Sequence, residues 1–151
     1  MTKAPQLKTF LWFNGNMDAA LDFYAQTFEG FILHTENRPA QDQPRFTATF
    51  SIYGHEFIGM NWPGGDAFNE AISLSLNVDG QDEVDRLWNA ITAKGKPGRC
   101  GWCTDEFGLT WQVSPIQMLE HLENADRAKA EFANNALMKM TKIVIADLYE
   151  H

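Results

Sequence analysis

Apolar and polar positions follow two different periods at the start of this chain. Residues 8–14 (KTFLWFN) are dense in aromatic side chains, which predicts a strand. Residues 17–28 repeat apolar side chains at helical spacing, so we expect a helix there, with Asn16 as its N-cap. Gly30 stands where a glycine in the left-handed conformation would end this helix. The chain is therefore predicted to open with a strand and a helix.

Three more strands are expected before residue 63, at 31–36, 46–53 and 56–62. The middle one alternates apolar residues with serine and threonine, and Tyr53 with Gly54 predicts a hairpin turn after it. The loop 37–45 contains two prolines, which exclude regular structure. This loop is either a lid or a plain connection.

The chain repeats itself. A shift of 65 positions places Gly15 on Gly80 and Gly30 on Gly95, with similar residues between them. This predicts one supersecondary unit used twice, with a shared groove at the pseudo-twofold seam. The second copy should contain a strand at 72–79, a helix at 82–94, and extended pieces at 97–103 and 109–114, joined by a turn at 105–108.

The predicted organisation is a single domain over residues 1–151. It comprises a first module at about 6–62, a second at about 70–115 and a helical tail at about 116–151. In the tail, residues 126–140 read as a helix and residues 143–149 as a short apolar segment. Such a tail is expected to dock onto its own domain or onto a partner subunit.

The repeat also assigns faces to the opening strands. Leu11 and Phe13 match the apolar Leu76 and Val78, so we expect this set beneath the helices. The opposite set contains Phe10, Trp12, Ser75 and Asn77, a mixture of aromatic and neutral polar side chains. A face of this composition suits a concave pocket for a small, partly apolar ligand. The alternative is an ordinary solvated sheet face.

Composition excludes several kinds of partner. Of the 151 residues, 44% are hydrophobic and 13% aromatic, enough for a packed interior, and the formal net charge is −8. An acidic chain is a poor partner for nucleic acid or an anionic membrane, since both attract basic surfaces. The N-terminal residues lack the apolar core of a signal peptide. We therefore expect a soluble, cytoplasmic protein.

The two cysteines form an isolated C-x-x-C motif. Because residues 100–103 read as extended, Cys100 and Cys103 should point to opposite sides, which disfavours a thioredoxin-type redox pair. A structural zinc site is also disfavoured, since there is no second cysteine pair. Cys100 stays a candidate pocket thiol and the one candidate catalytic residue.

Five segments carry a resemblance to a known family: FLWFNG (10–15), FNEAIS (68–73), CGW (100–102), FGLTWQVSP (107–115) and LMKMTKI (137–143). With the doubled unit, the chain resembles the glyoxalase/bleomycin-resistance/extradiol-dioxygenase superfamily, also called vicinal oxygen chelate. Within it, the chain is similar to the PhnB-like branch, often labelled demethylubiquinone methyltransferase. The resemblance implies an α+β fold of two βαβββ modules forming an open, cupped half-barrel, usually in a homodimer.

Catalytic members of the superfamily hold a divalent metal with ligands from the opening and late strands of each module. The corresponding positions here are Lys8, Phe10, Trp12, Ser73, Ser75 and Asn77 on the opening strands, and Phe57, Gly59, Asn61, Thr110, Gln112 and Ser114 on the late strands. None is a histidine or a carboxylate, the groups such a site requires. No metal and no cofactor are therefore expected.

Three functions stay open. The first is metal-free binding of a small aromatic or amphipathic molecule, with the candidate ligand-binding residues Phe10, Trp12, Asn61, Ser73, Ser75, Asn77, Trp102 and Gln112. The second is an enzyme acting on a quinone-like or other aromatic substrate through Cys100 or a polar pocket group. The third is a metalloenzyme whose ligands come from another strand register. A methyltransferase of the common kind is disfavoured, since no glycine-rich turn follows the first strand.

Overall fold

The computed structural model describes residues 2–151 and separates the chain into two compact units, with the boundary between Ala67 and Phe68. The first unit contains β1 (Thr9–Phe13), α1 (Met17–Thr27), β2 (Phe31–Asn37), β3 (Thr47–Ile52) and β4 (His55–Asn61). Its sheet has the order β1-β4-β3-β2, in which β1 pairs parallel to β4 and the other pairs are antiparallel. This is one βαβββ module.

The core of the first unit lies between its sheet and α1. Leu11 and Phe13 are buried as expected, and so are Tyr24 and Leu21 of the helix. Gly59 of β4 lies so close to the helix that an added Cβ would be 2.8 Å from the sulfur of Met17. The faces of β1 are therefore the ones that the repeat predicts.

The second unit repeats this topology. It contains β5 (Leu74–Val78), α2 (Gln81–Thr92), β6 (Lys96–Pro97), β7 (Trp102–Thr104) and β8 (Thr110–Pro115). The strand order is β5-β8-β7-β6, again with a parallel outer pair, β5 with β8. The predicted α+β fold with two βαβββ modules is confirmed. The extended piece expected at 97–103 is wrong in part, because a turn at 98–101 separates two short strands.

The repeated glycines have two different roles. Gly15 and Gly80 precede α1 and α2 with φ of +99° and +92°, a conformation that favours glycine. Gly30 is not left-handed, so the predicted helix terminator is wrong; a Cβ on it would lie 2.3 Å from the ring of Tyr53. Gly95 has the same kind of role, since its Cβ would lie 2.0 Å from the carbonyl oxygen of Thr104. Gly15 and Gly80 are therefore required for their backbone conformation, and Gly30 and Gly95 for the close approach of a neighbouring residue.

The tail belongs to the second unit. It contains α3 (Ile116–Leu122), which the sequence analysis missed, α4 (Arg127–Leu137) and a 3-10 helix at Ile145–Asp147. Gln81 of α2 donates to the carbonyl of Ile143 at 2.9 Å and accepts from the amide of Ile145 at 2.8 Å. The tail therefore docks onto its own module. No helix within residues 2–151 is both long and apolar enough to cross a membrane.

Candidate ligand-binding faces

The first open face is the side of the first sheet opposite α1. Register places these side chains on it: Phe10 and Trp12 of β1, Ile58 and Met60 of β4, and Thr47 and Thr49 of β3. Phe10 is 54% exposed and Trp12 is 38% exposed, although both are large and apolar. The predicted aromatic pair thus lies on one accessible face.

Trp12 is held in place by the segment that follows β4. Its indole Nε1 donates a hydrogen bond of 2.7 Å to the carbonyl of Trp62. The backbone of Gly65 lies against the same ring, since a Cβ there would be 2.5 Å from Trp12 Cε2. Asn14 fixes this segment by accepting from the amide of Gly65 at 2.6 Å. The sequence analysis assigns no role to the residues between its two modules, about 6–62 and about 70–115, and so missed this contact.

Asn61 lies on the other face. In the β1–β4 register it pairs with the buried Phe13, and its Oδ1 accepts from the backbone amide of Met17 at 3.4 Å. The side chain of Asn16, the predicted N-cap, makes no capping hydrogen bond. Asn61 therefore supports the start of α1, and the structure does not bring it together with Phe10 and Trp12.

The second open face is the side of the second sheet opposite the buried Leu76, Trp111 and Val113. Register places on it Ser75 and Asn77 of β5, Thr110, Gln112 and Ser114 of β8, and Trp102 and Thr104 of β7. Every one of these side chains is uncharged. The second open face gathers four predicted ligand-binding residues, and the fifth, Ser73, precedes β5 and accepts from Gln112 Nε2 at 2.9 Å.

One hydroxyl on the second open face stands out. Thr110 is 1% exposed, and its Oγ1 has no hydrogen-bond partner among the residues that the structure describes. A buried hydroxyl without a partner costs free energy, so native proteins rarely keep one without a reason. Sequence reasoning named Thr110 only as a position without metal-binding chemistry.

Trp111 points the other way, into the core. It is 1% exposed, and its Nε1 donates to Asp105 Oδ2 at 2.9 Å. The buried Asp105 also accepts from the amides of Phe107 and Leu109 through Oδ1, at 2.9 and 3.1 Å. This carboxylate thus holds the predicted turn at 105–108 together, and Trp111 is a packing residue.

The two thiols differ in their surroundings. Cys103 is buried beside Asp105, and burial, followed by that negative charge, raises its pKa to about 12. Cys100 is half-buried with φ of +56°, and its Sγ contacts the carbonyl oxygen of Leu137 at 3.4 Å. Cys100 therefore faces the tail, and the structure does not join it to the other candidate residues.

Potential metal ligands are scattered. Within residues 2–151, no three histidine, cysteine, aspartate or glutamate side chains come close enough to hold one ion. His34 instead bonds to Ser51 at 2.9 Å, and His55 to Thr9 at 2.9 Å. The expectation of a metal-free protein stays a prediction.

The loop 37–45 ends in an ion-pair network. Arg45 contacts Glu36 at 2.5 Å and Asp18 of α1 at 3.0 Å. The hydrogen bond from Arg45 holds the pKa of Glu36 below its usual value. The loop is thereby attached at its C-terminal end to α1 and β2.

The family follows from a comparison of the sequence. A family model described as 3-demethylubiquinone-9 3-methyltransferase matches residues 5–114, most of the chain. The chain belongs to this family. No curated protein matches it.

Solved structures agree with the family assignment at the level of the fold. The PhnB protein from Bacillus cereus is 22% identical, with a TM-score of 0.68 over 74% of this chain and 100% of its own. Protein PA1353 from Pseudomonas aeruginosa is 27% identical, with a TM-score of 0.61 over 74% and 98%. The fosfomycin resistance protein FosX from Listeria monocytogenes, solved with Mn(II) and sulfate, is 14% identical, with a TM-score of 0.52 over 80% and 98%. The predicted family is confirmed by the family model, and these structures agree with the predicted fold.

Proposed function

We propose that this chain binds a small, uncharged aromatic or amphipathic molecule against the open faces of its sheets. The observation that carries the proposal is the chemistry of the second open face. Its side chains are hydroxyls, amides and an indole, and Ser75 and Asn77 of β5 are exposed. Hydroxyls and amides both donate and accept, so they match a neutral polar group.

A charged ligand fits this face poorly. Burying an ionised group without a counter-charge costs several kcal/mol. Ser75, Asn77, Trp102, Thr104, Thr110, Gln112 and Ser114 offer no such charge. The face therefore selects for ligands that are neutral at physiological pH.

The first open face offers an apolar binding surface of its own. Phe10 and Trp12 present exposed rings, and Trp12 is fixed by its bond to the Trp62 carbonyl and by the Gly65 backbone. A ring that is already held in place loses little conformational entropy when a ligand stacks on it. This supports an aromatic or amphipathic ligand.

The proposal includes no metal and no cofactor. The strand positions that correspond to the metal ligands of catalytic relatives carry neutral side chains here, apart from Lys8. An enzyme acting on a quinone-like aromatic compound is the second candidate, favoured by the family's methyltransferase description. Against it, the thiol of Cys100 contacts the carbonyl oxygen of Leu137, and within residues 2–151 no base is among its hydrogen-bond partners.

Homodimer formation is part of the proposal. Each four-stranded sheet ends in strands with one unpaired edge, β1 and β2 in the first and β5 and β6 in the second. Exposed edges favour pairing with a second chain. Sedimentation at micromolar concentration tests this, and a mass equal to one chain would contradict it.

Calorimetry with a matched pair of probes tests the binding proposal. Neutral 1-naphthol should bind about tenfold or more tightly than 1-naphthoate, because the carboxylate would lose water without gaining a counter-charge. Phe10→Ala should weaken naphthol binding about fivefold, the cost of losing one aromatic contact. The control is Leu7→Ala, since Leu7 is 99% exposed. Equal affinity for both probes, or equal behaviour of the two variants, would overturn the proposal.

A further inference from the structure

The tail carries a cavity of its own. It has a volume of about 370 Å³ and is lined by His121, Asn124, Ala128, Lys129, Phe132, Leu148, Tyr149 and Glu150. All of these residues lie beyond residue 114, where the family match ends. The cavity therefore lies outside the part of the chain that the family model matches, and it shares no residue with the sheet faces described above.

The walls of this cavity are held in place. Ala133, Ile143 and Leu148 are fully buried and form a small core, against which Met118, Leu122, Leu137 and Met140 pack. Lys142 pairs with Asp85 of α2 at 2.8 Å, which ties the segment before the 3-10 helix to the module. A cavity whose walls are already ordered loses little conformational entropy when a ligand binds.

Aromatic side chains supply the apolar part of the lining. Tyr149 stacks on His121 with ring centroids 5.0 Å apart and an angle of 19°. Phe132 is 36% exposed, and its ring makes no aromatic contact with another residue of the described part of the chain. Its ring can stack with a ligand ring, and the volume, at the lower end of that of ligand pockets, suits a molecule with one ring.

Two opposite charges line the same cavity. Neither the Lys129 ammonium nor the Glu150 carboxylate forms an ion pair with any residue in the range 2–151. They also do not pair with each other, so their charged atoms are more than 4.0 Å apart. Both charges are available to a ligand that carries one group of each sign.

We propose that this cavity binds a small aromatic zwitterion of the aromatic amino-acid class. The ring lies against Phe132 and Tyr149, the ligand carboxylate pairs with Lys129, and the ligand ammonium pairs with Glu150. His121 and Asn124 add polar groups at the rim. The proposal does not depend on the function proposed for the sheet faces.

Three phenyl compounds test the zwitterion: L-phenylalanine, phenethylamine without the carboxylate, and 3-phenylpropionate without the amine. Calorimetry should show that L-phenylalanine binds about fivefold more tightly than either analogue, the effect expected of one partly exposed ion pair. Tighter or equal binding of one of the analogues would overturn the proposal, as would the absence of saturable binding of L-phenylalanine at millimolar concentration.

Two charge-removing variants identify the site. Lys129→Gln should abolish the preference for L-phenylalanine over phenethylamine and keep the preference over 3-phenylpropionate, and Glu150→Gln should do the reverse. Lys139→Gln and Glu123→Gln are matched controls, since both residues are exposed on the tail outside the cavity lining. Preferences that survive in both test variants would place the ligand elsewhere and refute the assignment. Naphthol binding should be unchanged in all four variants, which separates this site from the sheet faces.

Discussion

Replacing Thr110 by valine tests the buried hydroxyl on the second sheet. Valine has nearly the shape of threonine, keeps the β-branch that suits a strand, and lacks the hydroxyl. Thr110 is 1% exposed and its Oγ1 has no partner among residues 2–151, so the substitution removes a desolvated polar group without removing a hydrogen bond. Stability should therefore rise, while ligand binding should stay the same.

The expected magnitude follows from the burial. A buried donor or acceptor left without a partner costs about 1–3 kcal/mol. Thr110→Val should therefore raise the free energy of unfolding by about 1–2 kcal/mol, or the melting temperature by about 2–8 °C for a chain of this size. The affinity for the neutral probe 1-naphthol should not change, because Thr110 Oγ1 is covered by protein atoms and is not accessible to a ligand.

Urea denaturation and calorimetry on the same protein preparations provide the assay. Thr49→Val is the matched control, because Thr49 is a half-buried strand residue whose hydroxyl does have a partner, Thr35 Oγ1 at 2.5 Å. Thr49→Val should leave the free energy of unfolding unchanged or lower it. If Thr110→Val lowers stability as the control does, the hydroxyl is satisfied in solution and the reasoning is refuted. A fall in naphthol affinity would show that a ligand reaches this hydroxyl, which would contradict its burial.

Three further predictions concern the second unit. Asp105→Asn should lower the free energy of unfolding by about 2–3 kcal/mol in urea titration, because an amide cannot accept from both backbone amides and from Trp111; a loss below 0.5 kcal/mol would contradict this. The raised pKa of Cys103, about 12, means that the folded state keeps its proton after the unfolded state has lost it. Stability should therefore fall as pH rises from about 8.5 towards 12, and Cys103→Ala should flatten this fall; identical pH profiles would count against it. Gly80→Ala should cost about 1–2 kcal/mol in thermal denaturation from backbone strain alone, since φ is +92° and no atom obstructs the Cβ. An unchanged melting temperature would refute that.

The sequence was most informative where local pattern and repeat agreed. The shift of 65 positions relates Thr9–Phe13 to Leu74–Val78, so the second module could be located from the first. Strand alternation then predicted which side chains of β1 and β5 are buried, because that choice depends only on the two-residue period. The accessible rings of Phe10 and Trp12 follow from the same period.

Contacts between segments that are distant along the chain could not be predicted from the sequence. The role of Asn61 depends on the amide of Met17, 44 positions away, and on sharing a face with Gly59. The packing of Gly65 on Trp12 likewise depends on the conformation of the loop after β4, which no local sequence pattern predicts. The helix α3 was missed because it begins directly after Pro115, without the turn residues that usually separate a strand from a helix.

The attachment of the tail affects how the chain can be shortened. The amides of Cys100 and Gly101 donate to the carbonyls of Met140 and Thr141 at 2.9 and 2.7 Å, and Ile143 fills the space beside Gly101. A truncation before Met140 would leave two backbone donors and a hydrophobic hollow next to β7. A chain trimmed to residues 5–114, the range of the family match, would therefore have a destabilised second module. Deletion studies of the tail should be replaced by point substitutions.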